Sequence, residues 1–270
     1  MGSHIELDEG SVSCLNTNLI GNQVVYLRSC GSTNDEVKKR ARDGAGEGLV
    51  VVSTKQDSGR GRLDRSFISP EGGLYVSVLL RPRKALDQLS ALPLIAGLVV
   101  SKAISTSTLI TTTLKWPNDV LVDGAKVSGT VVEAEIKGDS VEFVVVGMGI
   151  NCNFHLEDLP SELHHNSSTL MDIKGEPIDL SVLFRDLICF MDMKWASFLE
   201  GGAQNILEEW SARSSTIGRR VRVESFGSSI QGQALGVDQS GALIIDDGKG
   251  MSRVTIGDCR HLDSADESQD

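Results

Sequence analysis

Between two apolar stretches lies the run Gln56-Asp57-Ser58-Gly59-Arg60-Gly61-Arg62-Leu63-Asp64-Arg65, in which glycines separate guanidinium groups. Glycine lets backbone amides approach a ligand closely, and guanidinium groups take phosphate or carboxylate oxygens in pairs. The run therefore reads as an anion clamp. Two further segments place polar groups at turns between strand-like pieces. Lys115-Trp116-Pro117-Asn118-Asp119 closes through Asp123-Gly124 onto Lys126-Val127-Ser128-Gly129, and Gly147-Met148-Gly149-Ile150-Asn151 follows the apolar residues 143–146. Taken singly, each has a plain structural reading. Residues 147–151 lack the third glycine of a dinucleotide fingerprint and read as a tight turn, and Asn118-Asp119 are ordinary turn formers after a proline.

The elements that must position these groups follow from periodicity. A short strand over 24–27 leads to a helix in which Thr33 and Glu36 have capping-box spacing, and a β-branched strand over 48–54 delivers the chain into the clamp. Residues 74–80 alternate as a half-buried strand. Ser90 is the expected cap of a helix to about 105, with Pro93 in its first turn, and β-rich pieces follow at 109–115 and 141–146. Asp179 is the expected cap of an amphipathic helix whose stripe is Leu180, Leu183, Phe184, Leu187, Met191, Trp195 and Phe198. A shorter helix carries Ile206, Leu207 and Trp210. From 218 onward, strands at 219–224, 230–237, 242–245 and 251–256 alternate with Gly/Asp/Ser turns, as in a small β-barrel. The expected organisation is a loose arm (1–22), a catalytic domain (23–216), a barrel (217–263) and an acidic tail (264–270).

Composition narrows the function. The 270 residues are 40% hydrophobic and 23% charged, an ordinary globular balance with room for a large domain and a small one. A net charge of -11 argues against a nucleic-acid partner. Apolar runs are too short to span a membrane, and the five cysteines show no C-x-x-C spacing, so a reduced, cytoplasmic setting is expected. The pair His164-His165 has no carboxylate or Cys at ligand spacing, so it is not read as a metal motif.

In order and spacing, these segments resemble the biotin protein ligases, in the class lacking an N-terminal DNA-binding domain. The resemblance rests on Ser32-Thr33-Asn34, the Gln56 to Arg65 loop, Ser69-Pro70 with Gly73-Leu74-Tyr75, and Lys115-Trp116-Pro117-Asn118-Asp119. It continues through Lys126-x-x-Gly129 with Glu133 and Gly147-x-Gly149-Ile150-Asn151. It implies an α/β (α+β) fold, a mixed-sheet, class II synthetase-like catalytic domain followed by a small SH3-like barrel. It also implies an enzyme that activates biotin with ATP and Mg2+ to biotinyl-5′-adenylate, then loads a lysine of a biotin carboxyl carrier domain. No tightly bound prosthetic group is implied, and a homodimer joined at a sheet edge is expected.

By the same resemblance, Ser32, Thr33, Gln56, Gly59, Arg60, Lys126 and Gly129 would bind biotin. Arg62, Phe67, Lys115, Trp116, Asn118 and Asn151 would face the nucleotide. Lys126, Arg62 and Asp119 would carry the chemistry, with Asp119 on Mg2+. The loop is expected to be mobile when empty and to close over the adenylate. Departures are Asp64 where glycine is usual, Phe67 where tryptophan is common and Thr130 after Gly129 in place of isoleucine. A lipoate or octanoate ligase-type acyltransferase and a catalytically silent biotin-binding module remain alternatives.

Overall fold

The computed structural model describes residues 7–13, 15–63, 65–82, 89–225 and 227–262. Its larger sheet is built from β1 (Gln23–Leu27), β2 (Leu49–Ser53), β3 (Leu74–Leu80), β4 (Thr113–Lys115), β5 (Asp119–Val122), β6 (Ala125–Lys137) and β7 (Ser140–Ile150). The spatial order is β1-β2-β3-β7-β6-β5-β4. Only β1 and β2 run parallel, joined by the crossover helix α1 (Thr33–Arg42), and every other pairing is antiparallel. The β5–β6 connection is the expected Asp123-Gly124 turn, with positive φ at both residues (49° and 85°), as a two-residue hairpin requires.

The two faces of the sheet differ. On one, α2 (Leu92–Thr108), α4 (Leu180–Gly201) and α5 (Gln204–Ala212) cover the alternating Val76, Val78, Leu80, Val144 and Val146. On the other, α1 buries Val37 and Ala41 against Val51, Leu79, Phe143 and Val145, covering only part of the sheet. The rest of that face, toward Tyr75, Gly149 and Gly129, is left to the loop between β2 and β3.

Residues after 218 form a second, five-stranded antiparallel sheet from β8 (Arg220–Ser225), β9 (Ser228–Val237), β10 (Leu243–Asp246), β11 (Met251–Val254) and β12 (Asp258–His261), in the order β11-β10-β9-β8-β12. Its inward residues Val221, Val223, Leu243 and Ile245 join the same apolar core as α2 and α4.

Several expectations are corrected. Residues 147–151 are not a turn: 147–150 complete β7, and Asn151 follows it directly. The segment before β1 packs instead of hanging loose, for Leu7, Val12 and Ile20 are at most 4% exposed. Asp192 of α4 holds this segment by accepting the N–H groups of Asn18, Leu19 and Ile20 at 2.8–3.0 Å. Ala91 rather than Ser90 caps α2, the Ser90 hydroxyl donating instead to Ser240 O. Asp179 caps α4 as expected, accepting from Ser181 and Val182. Strand β12 had too short an apolar signature to be foreseen. Asp64 and residues 264–270 lie outside the described residues.

Candidate active site

Helix α1 begins immediately after Ser32, an extended residue that makes no side-chain capping bond. The capping-box reading fails here because Ser32, not Thr33, is the cap residue, and Glu36 pairs with Arg40. The hydroxyls of Ser32 and Thr33 therefore face the uncovered part of the sheet. There, Thr33 N and Oγ1 both donate to Gln56 Oε1 (2.8 and 3.1 Å), and Gln56 Nε2 donates to Ser69 Oγ (3.0 Å). These bonds fix the orientation of the Gln56 amide.

The floor is sheet backbone bared by glycine. Gly147 and Gly149 on β7 stand in register with Ser77 and Tyr75 on one side and with Val131 and Gly129 on the other. A Cβ at Gly147 would lie 2.4 Å from Asn34 Oδ1, and one at Gly149 would lie 2.6 Å from Phe67 Cε1. Neither position tolerates a side chain without displacing its neighbour.

Ser32, Thr33, Gln56, Arg60, Phe67 and Gly129 line this pocket together. Phe67 lies on its glycine floor, edge-on to Tyr75, and leaves a cavity of only about 30 Å³. Beneath the loop, a wider cleft of about 610 Å³ takes in Gly59, Arg60, Arg62 and Glu133.

The loop is a narrow hairpin in which Phe67 N donates to Gly59 O (2.9 Å) and Gly61 N to Arg65 O (2.7 Å). Its tip, where Leu63 takes a positive φ of 53°, reaches the second sheet: Arg62 Nη2 donates to Gly257 O (3.2 Å) and Arg65 pairs with Asp258. Arg62 Nη1 donates to Asn118 Oδ1 (3.2 Å). Burial lowers the Arg62 pKa, opposed by the carboxylates of Asp258 and Asp119. Its hydrogen-bond acceptors here are neutral, so the guanidinium suits an incoming anion.

Next to Asn118, Asp119 Oδ1 lies 2.6 Å from Lys126 Nζ. That oxygen is buried and, among the described residues, accepts no well-formed hydrogen bond, so the ion pair is its compensation. Lys126 Nζ also sits 6.0 Å from the Phe67 ring centre. Lys115 stands opposite Asp119 in the β4–β5 ladder. Both influence the thiol of Cys259, which burial pushes up to about 11.

Two of the expected nucleotide residues have structural partners. Trp116 is 1% exposed, its indole N–H donates to Gly241 O (3.0 Å), and it lines a cavity of about 310 Å³ that shares Arg62, Val132 and Ile256 with the loop cleft. It also joins the two sheets. Asn151 Nδ2 donates to Ser168 O (3.1 Å), tying down the segment after β7. Sequence reasoning assigned no role to Asn34 and did not single out Ser77. A serine inside the apolar strand 74–80 was the available signal for the latter.

A glycine-floored pocket, a guanidinium loop and a lysine–aspartate pair at the junction of two sheets make a site suited to holding a small acid beside an anionic partner. A profile of the Biotin/lipoate A/B protein ligase family matches residues 26–151, and one of the Biotin protein ligase C terminal domain matches residues 216–262. The chain belongs to the biotin protein ligase family. It is 32% identical over 271 residues to the biotin--[acetyl-CoA-carboxylase] ligase of Mycobacterium tuberculosis, covering 95% of this chain and 96% of that relative. It is 31% identical over 245 residues to the bifunctional ligase/repressor BirA of Bacillus spizizenii, covering 90% and 75% respectively. The biotin protein ligase from Aquifex aeolicus, solved in complex with biotin and ATP, superposes with a TM-score of 0.75 at 31% identity, covering 90% of this chain and all of that one. Among the described residues no helix is long and apolar enough to cross a membrane.

Proposed function

We propose that this chain is an ATP-dependent biotin protein ligase, which forms biotinyl-5′-adenylate and passes the acyl group to a lysine of a biotin carboxyl carrier domain. The carrying observation is that Arg62 from the loop and Lys126 from β6 meet on the adjacent residues Asn118 and Asp119. In this reading Ser32, Thr33, Gln56, Gly59, Arg60 and Gly129 surround the bicyclic head of biotin, once Phe67 has withdrawn. The polar wall satisfies the ureido group, which would otherwise be buried without partners.

In the first step a biotin carboxylate oxygen attacks the α-phosphorus, and the bond to pyrophosphate breaks. Like-charge repulsion opposes this approach. Lys126, released from Asp119, together with Arg60 and Arg62, reduces the repulsion and fixes the line of attack. Arg62, Phe67, Lys115, Trp116, Asn118 and Asn151 form the nucleotide side, Trp116 and Arg62 lining one cavity. The under-bonded Asp119 Oδ1 suits holding an Mg2+ that would arrive with ATP. Such an ion would supply charge neutralisation at the phosphates.

In the second step the carrier ε-amine, having lost its proton, attacks the acyl carbon and the bond to AMP breaks. Asp119, freed from Lys126, is the carboxylate assigned to receive that proton. A homodimer joined at a sheet edge accords with β6, since β5 pairs with it only as far as Gly129.

The test is incubation with ATP, Mg2+, biotin and a carrier domain, followed by intact mass. One added biotinyl group is expected. No mass shift, with no biotinyl-adenylate formed, would sink the proposal, and biotin binding without pyrophosphate release would identify a silent binding module.

A further inference from the structure

The two steps above leave Glu133 without a task, although it belongs to the motif begun by Lys126 and Gly129. It lies on β6, on the same face as Gly129, in the wall of the cleft beneath the loop. One carboxylate oxygen accepts from Asn34 Nδ2 and the other pairs with Lys38, while Arg60, whose Nη2 donates to Asp35 Oδ2 at 2.7 Å, brings its Nη1 to 4.0 Å from Glu133. Burial works against ionisation, but the hydrogen bonds from Lys38 and Asn34 outweigh it and hold the carboxyl below its usual value. Glu133 is thus an anion ringed by donors.

Its bond to Asn34 decides how that amide faces. With Nδ2 on Glu133, Oδ1 meets Ser77 Oγ at 2.6 Å, and Ser77 Oγ lies 2.7 Å from Thr33 Oγ1. Thr33 in turn holds Gln56, Gln56 holds Ser69, and Ser69 Oγ donates to the Phe67 carbonyl at 2.8 Å. Glu133 therefore touches the loop twice: directly near Arg60, and through the pocket wall at Phe67.

We propose that Glu133 is a positioning residue that orients Asn34 directly and, together with Asp35, keeps Arg60 over the cleft, so that the pocket wall and the loop above it are set as one unit. The inference rests on assigning this pocket to biotin. In Glu133→Gln a donor nitrogen replaces one acceptor and must face Asn34, Lys38 or Arg60, each itself a donor. The KM for biotin should rise about tenfold, while kcat and the KM for ATP stay close to those of the parent. Retained biotinyl-adenylate should also escape into solution faster.

Steady-state, biotin-dependent pyrophosphate release by the full chain, with the carrier domain saturating so that transfer rather than escape of the adenylate completes each turnover, measures this. Lys38→Met removes the lysine pair but spares Asn34 and Arg60, and should keep the parental KM for biotin. Asn34→Ala should raise that KM as Glu133→Gln does, with no further rise in the double variant. A parental KM in Glu133→Gln, or an equal rise in Lys38→Met, overturns the inference. If Glu133→Gln shows no cooperative thermal transition, Asn34→Ala decides alone, and its parental KM would overturn the inference. A parent chain that releases no pyrophosphate removes the biotin reading and this inference together, whereas an unaffected variant beside an active parent removes the inference alone.

Discussion

Lys126 rests on Asp119, so its use in catalysis requires an exchange of partner. Lys126→Ala should slow adenylate formation by roughly 10²–10³, the usual loss for one preorganised electrostatic donor, with biotin binding still measurable. Near-normal single-turnover rates would remove Lys126 from the reaction. Gly149→Ala puts a methyl group on the pocket floor where the Phe67 ring now rests, and the KM for biotin should rise by about tenfold or more because the methyl takes up space the bicyclic head needs. An unchanged KM would mean that the head does not lie on this part of the floor. Charged residues such as Arg62 and Lys126 were legible because their types and spacing announce anion chemistry. Ser77 and Asn34 were not, because their role depends on β3 and α1 meeting across 43 residues, which no local pattern encodes.

Glu209 on α5 receives Lys102 of α2 and Lys194 of α4, so one carboxylate fastens three helices. Burial acts to raise its pKa, but the two ammonium groups overcome this and hold it below the ordinary 4.5. The sign follows: this stabilisation is complete above about that value and is lost as pH falls through the lower folded-state pKa. Glu209→Gln should cost about 1 kcal/mol at neutral pH and flatten the acid limb of the stability curve, as denaturant melts at several pH values would reveal. Asp192 acts at its own junction. Asp192→Ala leaves the amides of Leu19 and Ile20 without their acceptor and should cost about 2–3 kcal/mol, read as a fall in the urea midpoint. The stripe of α4 was legible because a helix states its period many times over. The end of β7 was not, because Gly147 and Gly149 look like a turn until a ring and an amide are seen to need the bare backbone.

The second sheet is part of the larger domain's interior. Leu114 and Trp116 share one core with Val223 and Leu243, and Trp116 bonds to Gly241 O. Sequence texture announced the second sheet but not this shared core, because inward residues of separate strands reveal their partners only on packing. Removing residues 218–270 would expose that core, and the truncated chain should lose its cooperative thermal transition. A truncation that still melts sharply would show the two sheets to be independent. The contact of Arg65 with Asp258 carries a second consequence. Asp258→Ala frees one end of the loop tip, and biotinyl-adenylate should leak several-fold faster, an effect that high salt should reproduce in the parent because the Arg65 side chain is largely exposed.

Phe67 has an optical consequence. The three tryptophans, Trp116, Trp195 and Trp210, are each 1% exposed, and none lines the small pocket. Their emission therefore reports the interior and is poorly placed to sense biotin. Phe67→Trp would place an indole on the glycine floor, where the ring must leave as ligand enters. Stopped-flow emission from that single site would time the ring's departure separately from the chemistry that follows.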